Sequence, residues 1–229
     1  MKVEIHSHTD LYSPCSRIPP RELIAMADAS GYDALFLTEH QRVWPARELA
    51  GLRELSEHVR VFPGIEISFP DRVDLLVLGA QDALYETLRT PSEVLAQATL
   101  DGFLTVIAHP FRYLRELPRY CALADAMETC TCNHSEPDHL EAARRCSAEH
   151  ALSEVYSSDA HGLNFMNKFW LETHASFTTP QEFRNLIVAG HYDNRTREFD
   201  MPLPPPYKAV TMDELTEEDT MALTIQPTS

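Results

Sequence analysis

Residues 21–40, RELIAMADASGYDALFLTEH, hold the unit on which the fold turns. RELIAMADA has helical spacing behind the Pro19–Pro20 entry, where a missing backbone N–H costs a helix nothing, and Gly31 supplies the stop. ALFLT, residues 34–38, is an apolar run of strand length, and His40 follows it almost at once. Working outward, the same alternation recurs. Strands are predicted at 3–5, 59–62, 65–68, 74–78, 105–108, 126–130 and 155–157, with a Pro-Gly break at 63–64 and a stop at Gly79. Helices are predicted at about 46–57, after a cap at Ser92, near 138–149, and at 180–189 with Gly190 at the C-terminal end. Alternating strands and helices argue for an α/β fold of parallel strands with covering helices, either open or closed into a barrel.

A chain of 229 residues, 44% hydrophobic, suffices for one large domain with a substantial core. That domain is expected over residues 1–200, with 201–229 as a Pro-rich and then acidic tail. No stretch approaches about eighteen apolar residues, so no membrane helix is expected. The start, MKVEIHSHTD, turns polar too soon for a signal peptide, and five scattered cysteines fit a reducing compartment; a cytoplasmic protein is expected. Acids outnumber bases 35 to 19, a formal charge of −16, with no Lys/Arg run. Long nucleic acids need basic contacts to their phosphates, so none is expected as a partner. Small phosphorylated substrates remain compatible, because bound metals would add positive charge.

The placement of histidines and acids carries the chemistry. His6 and His8 follow the first strand, His40 follows ALFLT, Glu66 lies within GIEIS, His109 follows TVIA, and Asp159 and His161 follow VYSS. In parallel α/β folds the C-terminal strand ends surround the functional crevice, so these seven side chains should converge there. His6 and His8, two apart in extended backbone, can chelate one ion, and Asp159 with His161 repeats the spacing. A mixture of imidazole and carboxylate suits Zn²⁺, Mn²⁺ or Fe²⁺ better than Ca²⁺ or Mg²⁺. Any one histidine alone is more often a packed or surface residue; the ordered set is the signal.

The series HSHT…SPCS, LTEH, GIEIS, DLLVLG, AHPFR and SSDAH, in that order between about residues 2 and 190, resembles the PHP (polymerase and histidinol phosphatase) family. The resemblance implies a single-domain, distorted (β/α)7 barrel with a two- or three-metal site that hydrolyses phosphoesters. One metal would be held by His6, His8, Glu66 and Asp159. Glu66 would bridge to a second, shared with His109, and a third would use His40 and His161. Two family positions differ here. Cys15 in SPCS stands one residue beyond the usual Asp or His, either as a thiolate ligand or as a small buried residue beside a weak or empty third site. Asp74 in DLLVLG replaces a His as the expected ligand of the second metal. In such a centre, paired metals generate a nucleophile from water near neutrality and neutralise the phosphoryl oxygens. His161 or His40 is then the candidate acid for the leaving group if the third metal is missing.

Arg17 and Arg112, beside SPCS and AHPF, are candidate phosphate clamps or solvated surface arginines. Asn133 is a candidate substrate contact or a turn residue. Cys130, Cys132, His134, His139, Cys146 and His150 have no common zinc spacing. Only 42 residues separate Glu66 from His109, too few for the helical insertion of relatives that act on oligonucleotides. The expectation is a phosphatase or phosphodiesterase for a small metabolite or nucleotide. A nuclease for short oligonucleotides and a PHP module without catalysis are the other two readings.

Overall fold

The computed structural model describes residues 1–132 and 137–197. Asn133, His134 and the tail expected from 201 onward lie outside them. The described residues form nine strands and five α-helices in the order β1 (Lys2–Glu4), α1 (Pro20–Ala29), β2 (Ala34–Leu37), α2 (Ala46–Arg53), β3 (Arg60–Ser68), β4 (Asp74–Leu78), α3 (Pro91–Asp101), β5 (Leu104–Ala108), β6 (Ala126–Cys130), α4 (Pro137–His150), β7 (Ser153–Tyr156), β8 (Phe169–Thr173), α5 (Pro180–Val188) and β9 (Tyr192–Thr196). Helix α3 is capped by Thr90 rather than Ser92. Thr90 and Glu93 form a reciprocal capping box around Pro91, and Thr179 with Glu182 does the same for α5.

All nine strands belong to one sheet, in the order β7-β6-β5-β4-β3-β2-β1-β8-β9. Strands β1, β2 and β3 pair in parallel, as do β5, β6 and β7, while β4 runs antiparallel between β3 and β5. The Pro-Gly pair does not break β3; it marks a change of partner. Leu37 pairs with Pro63 in the parallel ladder, and Gly64 pairs with Leu78 in the antiparallel one. A Cβ at Gly64 would meet Thr38 Cγ2 at 2.9 Å and the carbonyls of Leu37 and Val77 at 3.3 Å, so the crossing needs glycine.

One core cluster takes alternate residues from eight strands, among them Val3, Phe36, Phe62, Leu76, Val106, Val155 and Leu171, together with Phe183 and Ile187 of α5. Such a set is the lumen of a barrel, filled by side chains and closed by α5. Two further clusters sit outside the sheet: β3–β5 with α3, and β2–β3 with α1 and α2. The circle closes between β7 and β9 without a ladder. Tyr156 N donates to Asn194 Oδ1 at 2.9 Å, and Tyr192 Oη and Asn194 Nδ2 donate to Glu154 O at 2.6 and 2.9 Å. The α/β barrel therefore stands as expected, with β8 and β9 as two strands that the sequence pattern did not single out.

Candidate metal centre

At the mouth of the barrel the chain leaves regular strand geometry. After β1, Ile5 N and His6 N both donate to the buried carboxylate of Glu4 at 3.1 Å. Residues 6–8 then run beside Ala160: Ala160 N donates to His6 O and His8 N to Ala160 O. This brings His6 and His8 to a 4.9 Å ring separation. His109 (φ 29°) and Asp159 (φ 46°) occupy the left-handed region, a strain that clusters at functional sites. Asp159 and His161 therefore do not repeat the extended geometry expected of them, although their side chains still meet, Nδ1 to Oδ1 at 3.3 Å. Asp74 reaches the same mouth from the start of a strand because β4 is reversed. Its register against Ser68 and Ala108 sets it level with the ends of β3 and β5.

The seven expected donors and Asp74 do converge. His6 Nε2 and His8 Nε2 lie 3.4 and 3.3 Å from Glu66 Oε2, and each is 3.4 Å from Asp159 Oδ1. His40 Nδ1 is 2.8 Å from Glu66 Oε2, and His109 Nε2 is 3.0 Å from Glu66 Oε1. His109 Nδ1 stands 3.7 Å from Asp74 Oδ2. Four triplets bring their donor atoms within 4.8 Å of one another: His6, His8 and Glu66; His6, His109 and Asp159; Glu66, Asp74 and His109; and His8, His40 and His161. Glu66 is common to two of them and its carboxylate faces four imidazoles.

The fit to divalent cations is testable on the donors themselves. His6 Nε2 and His8 Nε2 are fully buried and make no hydrogen bond. Leaving a buried polar atom unsatisfied costs about 1–3 kcal/mol, which coordination would remove. Burial, with His40 alongside, pushes His8 down to about 3, so its ring is neutral and offers a lone pair. Burial opposes charge on Glu66, yet His40 and His6 hold it well below the usual carboxylate range; His6 and His161 do the same for Asp159. Glu66 and Asp159 are thus buried and held ionised, burial and the neighbouring Glu66 push Asp74 upward, and the set mixes nitrogen and oxygen, as divalent transition metals and zinc prefer.

Three supporting carboxylates escaped the sequence reading. Glu128, buried on β6, accepts from His6 Nδ1 (2.8 Å), Ser157 Oγ (2.5 Å) and His109 N (2.7 Å). The bond from Nδ1 fixes the tautomer that aims His6 Nε2 into the cluster. Glu39 accepts from Thr9 Oγ1, Ser13 Oγ and Trp44 Nε1 at 2.6, 2.6 and 3.0 Å, and Glu4 also accepts from Ser158 N at 3.0 Å. Carboxylates in or just beyond short strands were the available signal, weak one at a time.

A cavity of about 420 Å³ opens onto the cluster, lined by Cys15, His40, Asp74, His109 and His161 and by Arg72, Arg112 and Tyr113. Arg112 is thus where the sequence reading put it. Arg17 is not among the lining residues: its side chain is exposed, and its backbone N–H donates to His161 O. Arg72, on the tight β3–β4 turn (φ 63°), is a second arginine lining the cavity. The two lining guanidiniums lie 5.9 and 5.2 Å from the centre of the Tyr113 ring. Cys15 is exposed at the rim and lines the cavity with His161 and His40. Burial raises its thiol pKa, but those two rings bring it down to about 6. Cys130 and Cys132 pack with Phe169 in an apolar cluster, and among the described residues they join no group that could hold a metal.

No protein-family model matches the sequence, and no curated protein is similar to it at a significant level. Solved structures are similar in fold. A two-domain protein from Bacteroides vulgatus ATCC 8482, containing a predicted PHP-like metal-dependent phosphoesterase, superposes with a TM-score of 0.68 at 16% identity over 86% of this chain and 64% of that one. An amidohydrolase from Chromobacterium violaceum with bound SO4 gives 0.53 at 14% over 97% of each chain. Endonuclease Q, in complex with a 27-mer duplex carrying an abasic lesion, gives 0.57 at 14% over 85% of this chain and 58% of that one. The chain spans less than two thirds of the first and last of these. The likeness is one of fold, and it is the barrel that the motif resemblance implied. Among the described residues no helix is long and apolar enough to cross a membrane.

Proposed function

We propose that the protein is a metal-dependent hydrolase of phosphoesters, acting on a small phosphorylated metabolite or nucleotide. The observation that carries the reading is the joining of one buried donor cluster to one arginine-lined cavity. His6 Nε2 and His8 Nε2 lie unsatisfied against Glu66 and Asp159, and Arg72 and Arg112 face the same opening. His6, His8, Glu66 and Asp159 would hold one ion, Glu66, Asp74 and His109 a second, and His40 and His161 a third. Cations held there would make a nucleophile of water available at neutral pH and would offset charge on the phosphoryl group. The chain's own residues do the rest. Arg72 and Arg112 bind the phosphate oxygens and orient the ester against the cluster. Tyr113, whose ring lies 5.9 and 5.2 Å from the two guanidiniums, packs beside both. His161 and His40, at the rim, are placed to give a proton to the leaving alkoxide wherever they are not engaged as ligands.

Scale and charge support a small substrate. A cavity of about 420 Å³ accommodates a metabolite, and two arginines hold one phosphate rather than a run of them. The formal charge of −16 offers no track for a polyanion. The test has two arms: elemental analysis of anaerobically purified protein, and kcat/KM for nucleotide and sugar phosphates against single-stranded oligomers. The expected result is at least two metals per chain and hydrolysis of the small esters. Metal content near zero, with no activity restored by Mn²⁺, Zn²⁺ or Fe²⁺, would refute the mechanism. A preference for oligomers of about a hundredfold, roughly 2.7 kcal/mol in transition-state binding, would replace the metabolite with a nucleic acid.

A further inference from the structure

The connection between β5 and β6 borders two cavities. His109, Arg112 and Tyr113 line the one over the donor cluster, whereas Phe111, Arg115 and Leu117, from the same stretch, line a second and larger one of about 600 Å³. The two cavities share no lining residue. The opposite wall of the second is helix α4, where Ala142, Arg145, Cys146 and Glu149 recur at the three- and four-residue spacing of one helical face. Arg119, the first residue of the short 3-10 helix Arg119–Leu123, completes a basic lining of three guanidiniums. Beside them the surface is apolar: Phe111 and Leu117 pack against the core cluster that holds the buried Cys121. Phe111 is fixed there in the left-handed region, at φ 65°, a conformation costly for a bulky side chain.

Arg42, Arg184 and Arg195 are each paired with a carboxylate. Arg115, Arg119 and Arg145 form no ion pair with any described residue, although Glu116 and Glu149 line the same cavity. Three like charges around one space repel one another, and an anion among them relieves that repulsion. Such a group runs against the composition of a chain whose formal charge is −16.

We propose that this cavity binds a small organic phosphate with an apolar body, its head group on Arg115, Arg119 and Arg145 and its body on Phe111 and Leu117. Guanidinium forks match phosphate oxygens two at a time, and the volume falls in the range of about 300–1,000 Å³ usual for small-molecule sites. No cluster of metal-type donors borders the cavity among the described residues, so the ligand would be held there and not hydrolysed. The inference is independent of the proposed function and of metal binding at the barrel mouth.

Phenylphosphonate is the probe, since its C–P bond is not an ester. The full chain, with the metals it carries as purified, is titrated with it calorimetrically, beside Arg145→Ala, the double variant Arg119→Ala/Arg145→Ala and, as a control at the mouth, Arg112→Ala. Both Arg119 and Arg145 are exposed, so their removal should leave the thermal melt unchanged, which is checked for each variant. The expected result is a binding event that weakens about tenfold or more in Arg145→Ala, the loss of a charge-assisted contact, and vanishes in the double variant but persists in Arg112→Ala. Arg145→Lys, which keeps the charge without the fork, should lie between parent and Arg145→Ala. Binding as tight in the double variant as in the parent, or none that survives Arg112→Ala, overturns the proposal. So does benzyl alcohol, the uncharged counterpart, binding as tightly as the phosphonate, or phthalate binding about tenfold more tightly, which would make the site one for carboxylates.

Discussion

Glu128 sits at 0% exposure with three donors converging on its two oxygens, which makes its removal the sharpest perturbation the site offers. Truncation to alanine would strand His6 Nδ1–H, His109 N–H and Ser157 Oγ–H. The serine hydroxyl can turn elsewhere, so two donors are left, at about 1–3 kcal/mol each, or about 2–6 kcal/mol in all. Against a typical total of about 5–15 kcal/mol, that threatens the fold. Glu128→Gln is therefore the informative variant. Its amide oxygen can still accept from His6, but its NH2 then opposes the His109 N–H, leaving one clash of about 1–3 kcal/mol. The loss should appear in urea denaturation of the metal-free protein. The second readout is metal affinity: a neutral amide oxygen holds His6 Nδ1–H less firmly than the carboxylate does, so binding should weaken by about 10–100-fold. If Glu128→Gln is destabilised but binds metal within about twofold of the parent, Glu128 holds the fold and not the ligands, and the positioning argument fails.

Glu66→Gln should abolish hydrolysis and lower occupancy at more than one site, because its carboxylate serves two of the donor triplets; activity within about tenfold of the parent, or 1.4 kcal/mol of barrier, would contradict a bridging role. Asp74→Ala should remove about one metal per chain and collapse kcat, whereas an unchanged metal content would return Asp74 to an ordinary strand-end carboxylate. Metal uptake should strengthen as pH rises. Burial opposes charge on both rings, yet Glu66 and Cys15 hold His40 up to about 11, and Asp159 and Cys15 hold His161 up to about 10. The metal-free rings therefore keep protons that a cation must displace. Calorimetry in buffers of different ionisation enthalpy should detect proton release on Zn²⁺ binding, and none would remove these two histidines from the centre.

Much of this architecture is legible in the chain because burial and periodicity coincide. ALFLT and DLLVLG are strands buried on both faces and read as continuous apolar runs. His40 just beyond the first and Asp74 at the head of the second stand out against that background. The remainder was hidden for physical reasons. Strand β9, YDNRT, is polar and largely exposed, and it is held by pairing with β8 and by its side chains rather than by hydrophobic alternation. The reversal of β4 has no local signature, since direction is a matter of partners, so Asp74 could be singled out by motif but its route to the mouth could not. Arg72 was invisible for the same reason, being placed by the hairpin that the reversal creates. Glu128 looks in sequence like any alternating residue of AMETC; its importance lies in three donors drawn from distant segments.

The seam between β7 and β9 has a consequence for how the centre comes together. Everywhere else around the barrel, opening the sheet means tearing a backbone ladder; here it means releasing three hydrogen bonds, each worth about 0.5–1.5 kcal/mol, made by Asn194 and Tyr192. That makes the seam the lowest-energy route to partial opening, and amides of β7 and β9 should exchange with solvent before those of β2 and β3. Asp159 and His161 leave the end of β7, while His6, His40 and Glu66 belong to β1–β3. With the seam ajar, the backbone bonds of Ala160 to His6 and His8, and of His161 to Arg17, are what still tie the two sets of ligands together. A cation bound to both sets would reinforce those ties and act as a clasp on the barrel.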